Sequence, residues 1–311
     1  MAGHLFLGVD GGGSKTKARL RDERGLLLGE GAAGPGNARL GDVAFNDIMK
    51  ACRIAVAAAG LGEGDLGGIH AGFGLAGTQQ EPDRLSILNR PNPFASLVVD
   101  TDAYTAYLGA FRGGDGAILI LGTGSGGLAV VKGKRLNVGG WGADIADDGS
   151  GMAIGRLAIR RSLWAFEGMA PWTPLAREIM EGFGNSPADA VIWAGKAIPG
   201  DYASYAPRVF EHASNGDELA IRVLQDAGAD AGMLIRRLVE LGAPKVAMIG
   251  SVFPHLLPWL PDDVKPYPIE PSGDALDGAI LMAERALQGI GTGRPQPLAP
   301  RVEKAPSAQA R

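Results

Sequence analysis

Residues Leu5 to Thr16 read LFLGVDGGGSKT, and this stretch decides how the rest of the chain is interpreted. A short apolar run ends in one carboxylate, Asp10, and three glycines and two hydroxyl residues follow closely. A buried strand that leads into a glycine-rich turn brings backbone N–H groups close to phosphate oxygens. The stretch therefore predicts a phosphate-binding loop, and three kinds of loop compete.

The residues around the glycines exclude two of these kinds. A Walker A loop has the pattern G-x-x-x-x-G-K-[ST] before a helix. Counted from Gly8, the second glycine is Gly13, and Ser14 stands where the lysine is required. A dinucleotide fingerprint also opens a helix, whereas residues 17–22 (KARLRD) alternate apolar and charged side chains, and a turn and another apolar run follow. This period of two predicts that the loop lies at the tip of a β-hairpin.

The same arrangement recurs in the second half of the chain. Residues 116–121 (GAILIL) have the pattern of a buried strand, 122–127 (GTGSGG) form a glycine-hydroxyl turn, and 128–131 and 135–138 are two further strands. Two such hairpins predict a duplicated architecture in which each lobe supplies one phosphate loop. The alternative is a pair of unrelated glycine turns.

Both loops carry a resemblance to a known superfamily. Asp10-Gly11-Gly12-Gly13-Ser14 resembles the first phosphate motif of the sugar kinase, actin and heat-shock chaperone ATPases, and Leu121-Gly122-Thr123-Gly124-Ser125 resembles the second. The chain is similar to the branch of N-acetylglucosamine kinases and BadF/BadG/BcrA/BcrD-type ATPases, and most of all to bacterial glucosamine kinases. Stretches 92–110, 116–126 and 201–210 carry this narrower match, which runs from about Leu5 to about Ala286.

The resemblance implies an α/β protein with a two-lobe, actin-like (ribonuclease H-like) ATPase fold. Each lobe is expected to be a mixed sheet that starts with a three-stranded meander and is flanked by helices. Residues 1–112 form the predicted N-terminal lobe, and 113–288 form the C-terminal lobe, whose last helix is expected to return to the first lobe. Residues 289–311 are rich in Pro, Ala and Gln without periodicity, which predicts a disordered tail.

The implied activity is transfer of the γ-phosphoryl of ATP to the 6-hydroxyl of an amino sugar, with Mg²⁺ as the metal. Glucosamine is favoured and N-acetylglucosamine is close behind, because Gly139-Gly140-Trp141-Gly142 is more similar to the N-acetylglucosamine kinases. The alternative is a nucleotide-dependent activator that acts on a partner protein. Its iron–sulfur members need cysteine ligands, whereas Cys52 is the only cysteine of this chain. A non-catalytic sugar sensor is a further alternative, but both phosphate loops and Asp102 argue against it.

Several residues are predicted to hold the nucleotide and its metal. Backbone N–H groups of the two loops face the phosphates, Ser14, Thr16 and Thr123 add hydroxyl donors, and the turn Gly250-Ser251 resembles the adenosine-binding turn. Asp10 suits Mg²⁺ held through water, because Mg²⁺ takes few carboxylates; the alternative is a turn-stabilising aspartate. The predicted nucleotide-binding residues are Gly11, Gly12, Gly13, Ser14, Lys15, Thr16, Gly122, Thr123, Gly124, Ser125, Gly250 and Ser251.

Asp102 is the predicted catalytic base, since the family motif places the catalytic aspartate here and a strand and a helix start meet at this point. The alternatives are that Asp102 only caps the helix, a role that Thr101 could also take, or that Asp100 is the base. The resemblance also assigns sugar contacts to Asn37 and Asp147, with Gly140 and Trp141 beside them. Asn37 could instead be a turn residue, and Trp141 a core aromatic.

The composition limits the other classes of function. The 311 residues are 46% hydrophobic and carry a net charge of −4 without a basic block, which argues against nucleic acid as the main partner. The four histidines lack metal-ligand spacing, and Cys52 lies in a helical pattern typical of a small core residue. No signal-peptide pattern or membrane-length apolar run is present. We therefore expect a cytoplasmic enzyme, and the resemblance implies a homodimer as a common state.

Overall fold

The computed structural model of the protein describes residues 3–293 and 295–296, and their strands fall into two sheets. The first sheet comprises β1 (Leu5–Gly11), β2 (Thr16–Asp22), β3 (Leu27–Ala33), β4 (Ile69–Leu75) and β5 (Ser96–Thr101). The second comprises β6 (Gly116–Leu121), β7 (Ser125–Val131), β8 (Lys134–Val138), β9 (Val246–Ile249), β10 (Pro268–Ile269) and β11 (Pro295–Gln296).

Helices flank both sheets. The first half contributes α1 (Asp42–Ala58), α2 (Glu81–Leu88) and α3 (Asp102–Phe111). The second half contributes α4 (Gly151–Phe166), α5 (Pro174–Gly182), α6 (Pro187–Ala194), α7 (Pro199–Ala203), α8 (Ala206–Ser214), α9 (Glu218–Glu240), α10 (Phe253–Leu256) and α11 (Ala275–Leu287). The sequence pattern predicts one helix over 202–213, whereas the structure has two separate helices, α7 and α8, in this region. Pro207 in the first turn of α8 explains this separation, because proline has no N–H with which to continue the hydrogen bonding of α7.

Both sheets have the mixed topology that the sequence predicts. β1, β2 and β3 form an antiparallel meander, and β4 and β5 continue the sheet in parallel, in the order β3-β2-β1-β4-β5. The second sheet repeats this plan with the meander β6-β7-β8 and with β9 parallel to β6. The duplicated α/β architecture is confirmed. Because the carboxyl ends of parallel strands share one edge, both predicted phosphate loops lie at such edges.

α3 and α11 form a layer that both sheets contact. Tyr104, Tyr107 and Leu108 of α3 pack in one cluster with Ile118 of β6 and Leu128 of β7. α11 follows the second sheet in the sequence but packs against α3, β1 and β4 of the first lobe. Glycines permit this close approach, since a Cβ at Gly72 would lie 2.1 Å from the carbonyl oxygen of Ala279, and one at Gly8 would lie 2.5 Å from that of Leu276.

We expect Gly278→Ala in α11 to destabilise the fold. The added Cβ would lie 1.8 Å from the carbonyl oxygen of Thr105 in α3, and overpacking of this kind typically costs about 1–3 kcal/mol. Gly182→Ala is the matched control, because this glycine ends α5 and an added Cβ meets nothing within 4 Å. Urea denaturation of both variants checks the prediction. Equal free energies of unfolding for the two would contradict it.

The segment after α11 is only partly described. The disordered tail predicted from Gly289 onward differs from the structure at Pro295 and Gln296, which pair in parallel with Arg135 and Leu136 of β8. Backbone pairing with an exposed sheet edge needs no apolar periodicity, which explains why the sequence pattern does not reveal it. Residues 1–2, 294 and 297–311 of the predicted lobe and tail lie outside the described residues. Within the described ranges, no helix is long and apolar enough to cross a membrane.

Candidate active site

The first glycine loop presents unused backbone donors at the end of β1. The N–H of Gly12 donates to the carbonyl of Lys15 at 3.0 Å, and the N–H of Gly36 donates to the carbonyl of Gly12 at 2.9 Å. These bonds fix the base of the loop. At its exposed tip, the N–H groups of residues 13–15 form no hydrogen bond within the described part of the chain. Adjacent N–H groups of this kind form an anion-binding concavity.

Thr16, a predicted hydroxyl donor of this loop, is less accessible than the prediction requires. Its side chain is fully buried, and its hydroxyl lies 2.5 Å from the position that a Cβ at Gly36 would take. The hydroxyl also has no hydrogen-bond partner among the described residues. Thr16 begins β2, where every second residue, including Ala18 and Leu20, faces the core. Ser14, the other predicted hydroxyl donor of this loop, is exposed.

The second glycine loop is held by the start of α4. The N–H groups of Gly151 and Met152 donate to the carbonyls of Gly122 and Thr123, at 2.8 and 3.1 Å. With these carbonyls engaged, the N–H groups of Thr123 and Gly124 have no hydrogen-bond partner in the part of the chain that the structure describes. Ser125 is only 7% exposed and begins β7, so its side chain is a weaker candidate for phosphate contact than that of Thr123, which is exposed.

A cavity of about 620 Å³ opens beside the second loop. Gly122, Thr123 and Ser251 line one side of it, as predicted for a nucleotide site. Other lining residues come from helices without a recognisable motif, and they include Phe210 of α8 and His255 of α10, whose rings are 5.2 Å apart. This volume lies in the range of small-molecule sites. The sequence interpretation missed both aromatic residues.

Gly250 packs directly on the second loop. A Cβ at Gly250 would lie 2.3 Å from the carbonyl oxygen of Leu121, and the backbone of Gly250 has a φ of +109°. The N–H of Val252 donates to the same carbonyl at 3.1 Å. The predicted adenosine-binding turn and the predicted second phosphate loop therefore form one unit at the ends of β6 and β9.

Asp102 is the first residue of α3, but it does not cap the helix. Thr101 takes that role, since its hydroxyl accepts the N–H of Tyr104 at 3.1 Å. The Asp102 carboxylate accepts only the N–H of the adjacent Ala103, at 2.8 Å. The rival base, Asp100, is 6% exposed and engaged on both carboxylate oxygens by Arg135, at 2.7 and 2.8 Å. Of the two aspartates, only Asp102 is available to accept a proton from a substrate.

Asp10 and Asp102 form an acidic pair at the ends of β1 and β5. Burial and, next, the Asp102 carboxylate raise the pKa of Asp10 to about 6, while Lys17 opposes the shift. Burial also raises the pKa of Asp102, while the hydrogen bond from the N–H of Ala103 lowers this pKa to a smaller extent. The Asp10 side chain forms no hydrogen bond or ion pair with the described residues. This unbalanced negative charge fits a divalent cation.

Asp10→Asn is expected to stabilise the ligand-free protein at neutral pH. An aspartate whose pKa is raised to about 6 in the folded state loses folding free energy as the pH rises from about 4 to 6, because the folded state binds the extra proton. Removing the charge should recover on the order of 2 kcal/mol. Urea denaturation without metal should show the gain at pH 7.5 and little at pH 4.5. Asp144→Asn, in an exposed loop, is the control. An equal gain in the free energy of unfolding of Asp10→Asn at both pH values would contradict the raised pKa of Asp10 as its cause.

The predicted sugar residues divide into two groups. Asn37 caps a short 3-10 helix through its Oδ1, which accepts the N–H of Arg39 at 3.1 Å, and its amide NH₂ has no partner in the described chain. Asp147 is 8% exposed, has a φ of +68°, and lies against Gly124 of the second loop. Trp141 is not a core residue, since it is 71% exposed. Gly140 lies beside the start of β7 with a φ of +74°.

The structure thus gathers the predicted residues into two clusters, one at each sheet edge. The first-lobe cluster contains Asp10, the first loop, Asn37 and Asp102. The second-lobe cluster contains the second loop, Asp147 and the turn at 250–251. No hydrogen bond or ion pair joins the two glycine loops among the described residues. The arrangement can hold a polyanion between two sets of N–H donors, with a carboxylate base on one side.

Known proteins are similar to this chain over most of its length. The profile of the BadF/BadG/BcrA/BcrD ATPase family matches residues 7–283. The chain belongs to this family. A protein from Vibrio cholerae serotype O1 named glucosamine kinase is 37% identical over 281 residues, which cover 90% of this chain and 96% of that protein. A protein from Dictyostelium discoideum named N-acetyl-D-glucosamine kinase is 26% identical, over 79% of this chain and 82% of that protein.

A solved structure shows the same fold for this BadF/BadG/BcrA/BcrD family member. A protein from Chromobacterium violaceum, proposed to be an N-acetylglucosamine kinase, superposes with a TM-score of 0.82 at 31% identity. The match covers 91% of this chain and 100% of that protein. The expected two-lobe, actin-like ATPase fold is therefore confirmed.

Proposed function

We propose that this protein is an ATP-dependent amino-sugar kinase that transfers the γ-phosphoryl group to the 6-hydroxyl of glucosamine. The observation that carries the proposal is the half-buried carboxylate of Asp102. It starts α3 without capping it, while Asp100 two residues earlier is held by Arg135. The relatives named as glucosamine and N-acetylglucosamine kinases support the amino sugar as the substrate class.

Both lobes contribute to ATP binding. The N–H groups of residues 13–15 and of Thr123 and Gly124 donate to the phosphates, and the cavity beside Ser251 takes the adenosine. Donors that are already in place at the loops need no reorganisation as charge develops on the transferring group. In this proposal the nucleotide phosphates lie between the two loops, which end β1 of one sheet and β6 of the other.

Asp10 is the residue proposed to hold Mg²⁺, through water. Within the described residues no group of three or more His, Cys, Asp or Glu side chains suits a metal ion. One buried carboxylate beside a second is sufficient for Mg²⁺, which takes few protein ligands and binds together with substrate phosphates. When bound, the metal neutralises charge on the phosphate oxygens.

Asp102 acts as the general base in the transfer. It accepts the proton of the sugar 6-hydroxyl as the sugar oxygen forms its bond to the γ-phosphorus and the bond from this phosphorus to the bridging oxygen of ADP breaks. We assign the sugar hydroxyls to Asn37, whose NH₂ has no partner in the described chain, and to Asp147 beside the second loop. Closure of the lobes on the sugar excludes water, which otherwise competes as an acceptor.

The choice of sugar is the finer part of the proposal. Glucosamine ranks first because the relative with that name is 37% identical, against 26% for one named as an N-acetyl-D-glucosamine kinase. The activator alternative is disfavoured, since Cys52 is the only cysteine and is fully buried. The homodimer and the cytoplasmic location that the resemblance implies stay predictions.

Coupled measurement of ADP release tests the proposed function. The protein is assayed with ATP and Mg²⁺ against glucosamine, N-acetylglucosamine, glucose and no sugar. Turnover that depends on an amino sugar supports the kinase and ranks the free amine against the acetylated one. ADP release that is the same with and without every sugar would contradict the proposal and favour the activator.

A further inference from the structure

Arg135 is a buried arginine of the second lobe that binds the strand leading to the catalytic residue. It lies on β8 and is 2% exposed. Its Nη1 donates to Oδ2 of Asp100 at 2.8 Å, and its Nη2 donates to Oδ1 at 2.7 Å. A bidentate pair of this kind fixes the orientation as well as the distance of the carboxylate.

The same guanidinium group also contacts a residue that follows Asp102 in the sequence. Its central carbon lies 3.8 Å from the ring centroid of Tyr104, in the first turn of α3. Its Nη1 donates to the carbonyls of Thr292 and Gly293 after α11, at 3.2 and 3.0 Å. One side chain of the second lobe therefore contacts the residues two positions before and two positions after Asp102.

Stability alone does not explain this arrangement. A buried ion pair costs desolvation that its Coulomb attraction barely repays, so apolar residues of similar volume are often as stable. Here the Nε of Arg135 is also buried without a hydrogen-bond partner among the described residues. The guanidinium group thus gives up one hydrogen bond while it satisfies Asp100. A geometric role accounts for this better than an energetic one.

We propose that Arg135 is a positioning residue for the kinase reaction, which fixes the junction of β5 and α3 against the second lobe and so aims the Asp102 carboxylate. The inference rests on the proposed function. α3 packs on both sheets, so the direction of Asp102 depends on how the lobes meet at this helix. Among the described residues, the ion pair of Arg135 with Asp100 is the only one that joins β8 to β5.

The experiment compares Arg135→Lys and Asp100→Asn with wild-type full-length protein. Lysine keeps the charge but lacks the planar fork that holds both oxygens of Asp100. Misplacement of a catalytic group by about 1 Å can cost about 10²-fold in rate. We expect kcat with glucosamine to fall by about 10–100-fold, while KM for ATP and for glucosamine stays within about threefold, because Arg135 is 2% exposed and so is not accessible to either substrate.

Arg19→Lys is the matched control for a purely structural role. Arg19 of β2 binds Glu30, Asp274 and Asp277, and it anchors α11 without contacting the β5–α3 junction. This variant should lose thermal stability and keep kcat within about twofold of wild type. Amide hydrogen exchange in the first turn of α3 should quicken in Arg135→Lys and not in the control.

Two outcomes would overturn the inference. One is a kcat within twofold of wild type in both Arg135→Lys and Asp100→Asn, and the other is unchanged exchange in the first turn of α3. If these variants do not fold, Tyr104→Leu decides, because it removes the ring that contacts Arg135 and keeps the ion pair. A kcat at least threefold lower supports the inference, and an unchanged kcat overturns it. A wild-type protein without sugar-dependent ADP release contradicts the proposed function instead, and the hydrogen exchange then tests the positioning alone.

Discussion

Asp102→Asn should lower kcat with glucosamine by about 10²–10⁴-fold, the range attributed to a positioned general base. Asparagine has the same shape as aspartate and can still accept the N–H of Ala103, so the start of α3 is preserved. Burial raises the pKa of Asp102, which means that the charged carboxylate is disfavoured in the fold. The variant should therefore unfold at the same temperature as wild type or higher, and its lost activity cannot come from unfolding.

Asp42→Asn is the matched control for this substitution. Asp42 is the first residue of α1, as Asp102 is of α3, but its side chain is 85% exposed and its partner is Arg90. Initial rates should stay at the wild-type level in this control. The pH profile adds a second test: wild-type kcat/KM should decline on acidification at a higher pH than for an ordinary aspartate, since protonation removes the base. Near wild-type turnover by Asp102→Asn would reject Asp102 as the base.

The sequence predicts the architecture well because strands and hairpins leave local signals. The alternation in residues 17–22 marks β2, and the apolar runs before each glycine loop mark β1 and β6. The partner of a sheet edge leaves no such signal. Pro295 and Gln296 pair with β8 through backbone groups alone, and a Pro-rich segment without periodicity then reads as disordered.

The choice between Asp100 and Asp102 depends on a contact that spans the chain. Both aspartates end the same strand pattern, and only the ion pair with Arg135 removes Asp100 from consideration. Arg135 lies in an ordinary amphipathic strand of the other lobe, so its partner becomes known only from the fold. The burial of Thr16, in contrast, could have been predicted. The period of two places it on the face of Ala18 and Leu20, away from the loop.

The cavity beside the second loop also combines residues that a local motif reveals with residues that only the fold brings together. Its glycine loop has a motif, whereas Phe210 and His255 come from two helices whose composition is unremarkable. These residues become neighbours because α8 and α10 both pack in the core of the second lobe, where Val209 and Phe253 are buried. A motif search therefore finds the glycine loop beside the cavity and misses the aromatic residues that line it.

Gly250→Ala is expected to raise KM for ATP by at least about tenfold and to lower kcat, because it acts on the second phosphate loop from behind. The added Cβ would lie 2.3 Å from the carbonyl oxygen of Leu121 and 3.1 Å from the nitrogen of Gly122. Both atoms belong to the backbone, so the loop itself has to move. The N–H donors of Thr123 and Gly124 then no longer converge on the phosphates, whereas KM for the sugar should change little.

Gly133→Ala separates this displacement from backbone strain. Gly133 has a φ of +73°, so alanine is strained there as well, but an added Cβ meets nothing within 4 Å. Both variants should lose about 1–3 kcal/mol of stability from the unfavourable φ. Only Gly250→Ala should lose ATP affinity, as measured by initial rates at varied ATP. The same KM for ATP in both variants would mean that Gly250 is needed only for the backbone conformation of its turn. The unit formed by the second loop and the turn at 250–251 would then have no part in nucleotide binding.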